Sequence, residues 1–251
     1  MNFLDKLKNK WDENKFVCVG LDKGSFEFDK SIIDQTFDLV CAYKPNSAFY
    51  EAAGNEGLES LKKTIAYIHQ KDPNIPVILD AKRGDIGNTN EGYVKSAFDD
   101  LGVDGVTVNP YLGKESLEPF LKRADRGIII LVKTSNPGAG EFQDLKVEDQ
   151  PLYEIIAEHV ARDWNSNGNC AVVVGATYPE QLKKVREIVG DMPILIPGIG
   201  AQGGDLVATL KAGLNSKKQG IIISSSRGII FSDNPKEATL KLHHQIQEAL
   251  K

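Results

Sequence analysis

Opposite charges stand two residues apart where an apolar run gives way to a loop, in Asp80-Ala81-Lys82-Arg83-Gly84-Asp85. At a strand end that spacing puts Asp80 and Lys82 on one face. Lys44 closes the preceding apolar run, and Asp22 the one before it. Residue type alone leaves two readings open. The four charges could form a salt-bridge network that plugs a core. They could instead line a partly dry site, where a fixed ammonium stabilises developing negative charge or delivers a proton. Pairs of this kind interact by about 4 kcal/mol at 4 Å with an effective dielectric near 20. Desolvating four charges from three successive strands is costly and adds little net stability, which favours the site. A strand-end lysine can also form a Schiff base. One flanked by Asp80 and Asp85 stays protonated, however, and is a poor amine nucleophile.

A second constellation falls late in the chain. Gly198-Ile199-Gly200-Ala201-Gln202-Gly203 matches GxGxxG, and Ser224-Ser225-Ser226-Arg227 follows. A dinucleotide fingerprint would occupy the first strand–helix turn, with an acid about 20 residues on. Here that later position is Ile223, so the dinucleotide reading is set aside. Glycine loops after the last strands of a barrel cradle phosphate with backbone N–H groups, and Arg227 would add a charged bidentate contact. The plainer alternative is a tight turn beside an exposed arginine. His69, His159, His243 and His244 all fall in helical stretches without ligand spacing, so no metal site is expected. No serine has a histidine base at a neighbouring strand end, which argues against a triad.

These residues need a scaffold, and one pattern recurs. Short runs at 16–21, 39–43, 77–81, 105–108, 127–132, 170–174, 193–196 and 220–224 read as strands, six of them nearly continuous in apolar residues as strands buried on both faces are. Amphipathic stretches at 58–70, 91–101, 115–123, 152–164, 179–189, 206–212 and 237–250 read as helices. Alternation of this kind in 251 residues predicts an α/β fold, a single-domain (β/α)8 TIM barrel over 1–251. A doubly wound open sheet is the alternative. The loop 134–150, with Pro137, Gly138 and Gly140, is long enough to be a lid. Phe3, Leu4, Leu7 and Trp11 recur at helical spacing, so 1–15 reads as an amphipathic helix rather than a signal peptide.

Composition removes other classes. The net charge of −5 argues against a general nucleic-acid binder. The longest apolar runs, such as 128–132, are too short to span a bilayer, so no membrane partner is expected. Cys18, Cys41 and Cys170 each sit in an apolar run with no CxxC partner. They read as small buried hydrophobes of a cytoplasmic protein.

The segment 80–89, Asp-Ala-Lys-Arg-Gly-Asp-Ile-Gly-Asn-Thr, closely resembles D-x-K-x-x-D-I-x-x-T of the orotidine 5′-phosphate decarboxylase family. Gly20-Leu21-Asp22, Tyr43-Lys44-Pro45-Asn46, Thr134-Ser135-Asn136-Pro137, Val174-Gly175-Ala176-Thr177, the glycine loop and Ser226-Arg227-Gly228 agree in order, and the likeness spans essentially the whole chain. Lys-Pro-Asn and Thr-Ser-Asn-Pro resemble the bacterial second subfamily. The resemblance implies a (β/α)8 homodimer that converts orotidine 5′-phosphate to UMP and CO2 without metal or organic cofactor. It implies that Lys82 supplies the proton that replaces CO2 at C6 and that Asp80 sits beside the departing carboxylate. Lys44 and Asp22 would contact ribose hydroxyls, with Lys44 also holding Asp80. Asp85 and Thr89 would reach into the neighbouring subunit's site, Ser135 would hold the pyrimidine, and Gln202 and Arg227 the phosphate. Two rivals remain. A Mg²⁺-dependent phosphosugar decarboxylase of related barrel type, such as a 3-keto-gulonate-phosphate decarboxylase, lacks the downstream Asp-Ile-x-x-Thr. A non-catalytic nucleotide-phosphate binder would not need the charged array.

Overall fold

Strand interiors built almost wholly of Val, Ile, Leu, Ala and Cys cannot face water on either side, and here neither side does. The computed structural model describes residues 1–199 and 204–250. Eight parallel strands form one sheet: β1 (Val17–Leu21), β2 (Val40–Pro45), β3 (Ile78–Arg83), β4 (Gly105–Val108), β5 (Gly127–Lys133), β6 (Cys170–Val174), β7 (Ile194–Pro197) and β8 (Ile221–Ser225). Their spatial order is β2-β1-β8-β7-β6-β5-β4-β3. Parallel bridges Tyr43–Val77 and Asn46–Asp80 join β2 to β3 and bring the two edges together. The expected barrel is therefore the observed one, and the open sheet is excluded. A helix follows each strand and covers it from outside: Phe26–Thr36, Gly54–Lys71, Gly87–Val94, Gly113–Leu121, Leu152–His159, Pro179–Val189, Leu206–Gly213 and Pro235–Leu250. The third and fifth of these continue into wider π turns, Lys95–Asp100 and Val160–Trp164.

Two strands run further than their apolar residues indicate. β2 extends through Lys44 and Pro45, and β3 through Lys82 and Arg83. The charges therefore lie within the strands rather than after them, with Lys44 of β2 paired across to Asp80 of β3. Helix Phe26–Thr36 escapes the periodicity because its inner face carries buried Asp29 and Thr36 beside Ile32 and Ile33.

The amphipathic N-terminus forms the helix Phe3–Asp12, with the Asn2 side chain accepting from the Asp5 N–H at 2.9 Å. Phe3, Leu7 and Trp11 are buried. Phe3 lies flat on Gly127: a Cβ there would meet its ring at 2.3 Å. Trp11 Nε1 donates to the Ile221 carbonyl at 2.9 Å. Gly127 and Ile221 begin β5 and β8, so this helix closes the barrel end opposite the strand C-termini.

The loop 134–150 has structure of its own. It contains the turns Pro137–Ala139 and Gly140–Gln143, then a hairpin pairing Lys146–Val147 with Gln150–Pro151. Two anchors tie it down. Lys133, its side chain 0% exposed, pairs with Asp144 at 2.6 Å. Gln143 Oε1 accepts from the Thr134 N–H at 2.9 Å, and its Nε2 donates to Thr134 Oγ1 at 2.8 Å. All three cysteines are buried and free, and burial pushes the Cys18 and Cys170 thiols up to about 12. Among the described residues no helix is long and apolar enough to cross a membrane.

Candidate active site

The C-terminal ends of the strands surround a cavity of about 480 Å³. Lys44, Asp80, Lys82, Thr107, Leu131 and Ser135 are among its lining residues. A larger open hollow of about 860 Å³ lies between Pro110–Lys114 and Leu152–Trp164, but none of the mouth charges lines it. The chemistry is at the mouth.

Asp80 is the hub. Its Oδ2 receives Lys44 Nζ at 2.9 Å, and its Oδ1 receives Lys82 Nζ at 2.7 Å and Thr107 Oγ1 at 3.0 Å. Burial alone would raise the Asp80 carboxyl, but the two ammonium groups outweigh it and hold it well below the usual carboxylate range. Burial likewise opposes charge on Lys44, and the carboxylates of Asp80 and Asp22 overcome that and raise it. The result is an array of carboxylate between two lysine side chains. Lys44 is buried, whereas the Lys82 side chain is 49% exposed towards the cavity. Both cations line the cavity, and Lys82 is the more exposed of the two.

Asp22 stands at the end of β1, and its position depends on a glycine. A Cβ on Gly20 would meet Ser226 Cβ at 2.7 Å, so only glycine lets Ser226 close in and donate to Asp22 Oδ2 at 2.6 Å. Among the described residues Asp22 Oδ1 is buried with no partner. Gly175 does the same for Ser135, whose Cβ lies 2.7 Å from where a side chain would begin. Arg227 is exposed at the start of the turn Arg227–Ile230 and makes no ion pair among the described residues. Gln202 lies outside the described residues. Lys44, Asp80, Lys82 and Ser135 thus share one cavity.

Asp85 and Thr89 do not join it. Asp85 Oδ1 accepts from the Ile86 N–H at 2.7 Å and meets no cation of its own chain among the described residues. Thr89 is exposed. The sequence reading missed Thr107, which carries no charge in an apolar strand, although a hydroxyl in a fully buried run was a signal. It also missed Asp29, buried behind the mouth, whose Oδ2 accepts from Tyr50 at 2.7 Å and Thr64 at 3.0 Å. A carboxylate on a helix with no motif around it leaves no such trace. Among the described residues no three His, Cys, Asp or Glu side chains gather as metal ligands would.

The comparisons with known proteins agree with the barrel fold. The family described as "Orotidine 5'-phosphate decarboxylase / HUMPS family" matches residues 15–242. An orotidine 5′-phosphate decarboxylase of Cellvibrio japonicus is 47% identical, with 99% of each chain covered. That of Dechloromonas aromatica is 48% identical over 92% of this chain and 91% of its own. Among solved structures, the OMP decarboxylase of Leishmania donovani superimposes with a TM-score of 0.94 at 39% identity, covering 100% of this chain and 99% of that one. The UMP synthase of the same organism gives 0.95 at 41% identity, and this chain spans 57% of its length. With the family match spanning most of the chain and relatives nearly half identical over its length, this chain belongs to the orotidine 5′-phosphate decarboxylase / HUMPS family.

Proposed function

We propose that the chain converts orotidine 5′-phosphate to UMP and CO2, with Lys82 as the acid that protonates C6. The observation that carries this reading is the Asp80 carboxylate clamped between Lys44 and Lys82 at the mouth cavity, in a chain nearly half identical to named orotidine 5′-phosphate decarboxylases. As the C6–carboxylate bond breaks, its electron pair stays on C6 in an sp² orbital outside the ring π-system. That pair needs a fixed cation and then a proton. The Lys82 ammonium supplies both, ending as the amine. Asp80, held ionised by its two lysine partners, stands where it would repel the substrate carboxylate and not the departing CO2.

The remaining roles follow the same division. Asp22 and Lys44 take ribose hydroxyls, Ser135 the pyrimidine, and Gln202 with Arg227 the phosphate. Phosphate binding far from the breaking bond can be spent on loop closure and on holding the reactive pose. Residues 1–251 act as one domain, in a cytoplasmic homodimer where Asp85 and Thr89 of each protomer serve the other's site. No metal or organic cofactor takes part in this scheme, and no nucleic acid or membrane partner is involved.

The test is loss of orotidine 5′-phosphate absorbance with purified protein in excess chelator. Full turnover is expected, and Lys82→Ala should lose it while still binding UMP. Activity that vanishes with chelator and returns with Mg²⁺ would favour the metal-dependent rival. Near-native turnover by Lys82→Ala would remove the proton donor.

A further inference from the structure

The hydrogen-bond ladder between β3 and β4 is irregular at one place. Ile78 pairs with Gly105 and Leu79 with Val106, but the next pair is Arg83 with Val108. Three residues of β3, Asp80, Ala81 and Lys82, therefore stand opposite Thr107 alone. Bulges of this kind re-aim side chains and leave backbone groups without ladder partners. Both consequences are visible. Lys82 has φ +46°, the left-handed region that a non-glycine residue rarely adopts. The N–H groups of Ala81 and Lys82 find no strand carbonyl and donate instead to Thr107 Oγ1, at 3.0 and 2.9 Å.

A hydroxyl has two acceptor sites and one donor. The two N–H groups fill the acceptor sites of Thr107, so its proton goes to the remaining neighbour, Asp80 Oδ1 at 3.0 Å. All three capacities of this buried hydroxyl are used, each on a different residue of the bulge. Lys82 Nζ binds that same Oδ1 at 2.7 Å.

We infer that Thr107 is the positioning residue of this site. It holds Lys82 in its left-handed backbone and fixes the rotation of the Asp80 carboxylate, which in turn sets where the Lys82 ammonium points. The inference rests on the assignment of Lys82 and Asp80 proposed above. Without the hydroxyl, two partly buried N–H groups lose their acceptor and the bulge relaxes towards ordinary strand geometry. The ammonium then moves off line by a fraction of its length. Arg227, assigned to phosphate, follows another strand and makes no contact with the bulge.

The test compares the natural enzyme with Thr107→Val, Thr107→Cys, Thr107→Ser and Lys82→Ala. Turnover is normalised to UMP-binding sites counted by calorimetry, so that only folded molecules enter. Thr107→Val keeps the side-chain shape without the hydroxyl and should lower kcat by about 100-fold, with UMP affinity within threefold, as small misplacement of a reacting group does. Thr107→Ser should recover most of kcat, and Thr107→Cys, a weak acceptor, should fall between. If Thr107→Val yields no UMP-binding sites, Thr107→Cys against Thr107→Ser carries the comparison. A kcat for the variant lacking a good acceptor within threefold of natural, or loss shared equally by kcat and UMP affinity, or no recovery with serine, would overturn the inference while Lys82→Ala, if inactive, leaves the site assignment standing. An active Lys82→Ala would overturn that assignment, and this inference with it.

Discussion

Two buried carboxylates of this barrel have opposite fates, and their neighbours decide which. Asp80 has two ammonium partners and is held low. Asp29 has only hydroxyls. Burial pushes it up to about 6, against the hydrogen bonds of Tyr50 and Thr64 and helped by the nearby charge of Asp22. A raised acid binds its proton more tightly folded than unfolded, so folding loses stability as pH rises from about 4 through 6. The loss amounts to roughly 3 kcal/mol from a shift of about two units. Asp80 acts in another window: its contribution is present above pH 4 and lost only on further acidification. Urea unfolding at pH 4.5 and pH 7 should therefore show Asp29→Asn with a flatter profile than the natural chain. An unchanged slope would mean that Asp29 is not the group responsible. At the far side of the mouth, Arg227→Ala should weaken UMP binding by roughly 1.5–3 kcal/mol, the worth of a charged hydrogen bond, with a smaller effect on kcat. Unaltered UMP affinity by calorimetry would move the phosphate elsewhere. The charged residues of this site could be read directly from spacing, because charge at a strand end is conspicuous. Thr107 and Asp29 could not, since their meaning comes from what the fold sets opposite them.

Elements divide the work by barrel end. The helix Phe3–Asp12 packs Phe3 on Gly127 and Trp11 on the first residue of β8, at the end away from the cavity. Phe3→Ala leaves a void in close-packed surroundings and should cost about 3–5 kcal/mol. Its denaturation midpoint should drop while kcat at 25 °C holds. A matching drop in kcat would show the two ends to be coupled. This helix was legible from its apolar spacing, as were the eight strands from their continuous apolar runs. The ends of β2 and β3 were not, because ion pairing lets Lys44, Asp80 and Lys82 lie within the strands. The loop after β5 was legible as long but not as ordered. Its anchors, Asp144 on the buried Lys133 and Gln143 on Thr134, join residues about ten apart that no periodicity links.

At the scale of the whole molecule the mouth looks unfinished. Lys82 is half exposed, while Asp85, three residues on, turns to its own backbone and meets no cation among the described residues. Gly84 runs against Asn109, where a Cβ would lie 3.0 Å from the carbonyl, so the loops after β3 and β4 form one surface. Ile86, Tyr111 and Leu112 are exposed on it. A two-fold axis there would cover the apolar residues and carry Asp85 towards a partner's Lys82, as an isologous interface allows. The direct measurement unfolds and refolds two inactive variants together, Lys82→Ala and Asp85→Ala, in equal amounts. If each site takes Lys82 from one protomer and Asp85 from the other, every mixed dimer has one intact site. Random pairing makes half the dimers mixed, so activity should return to about a quarter of the natural value. No recovery, with mixed dimers shown to form, would contradict the shared site and leave Asp85 acting within its own chain.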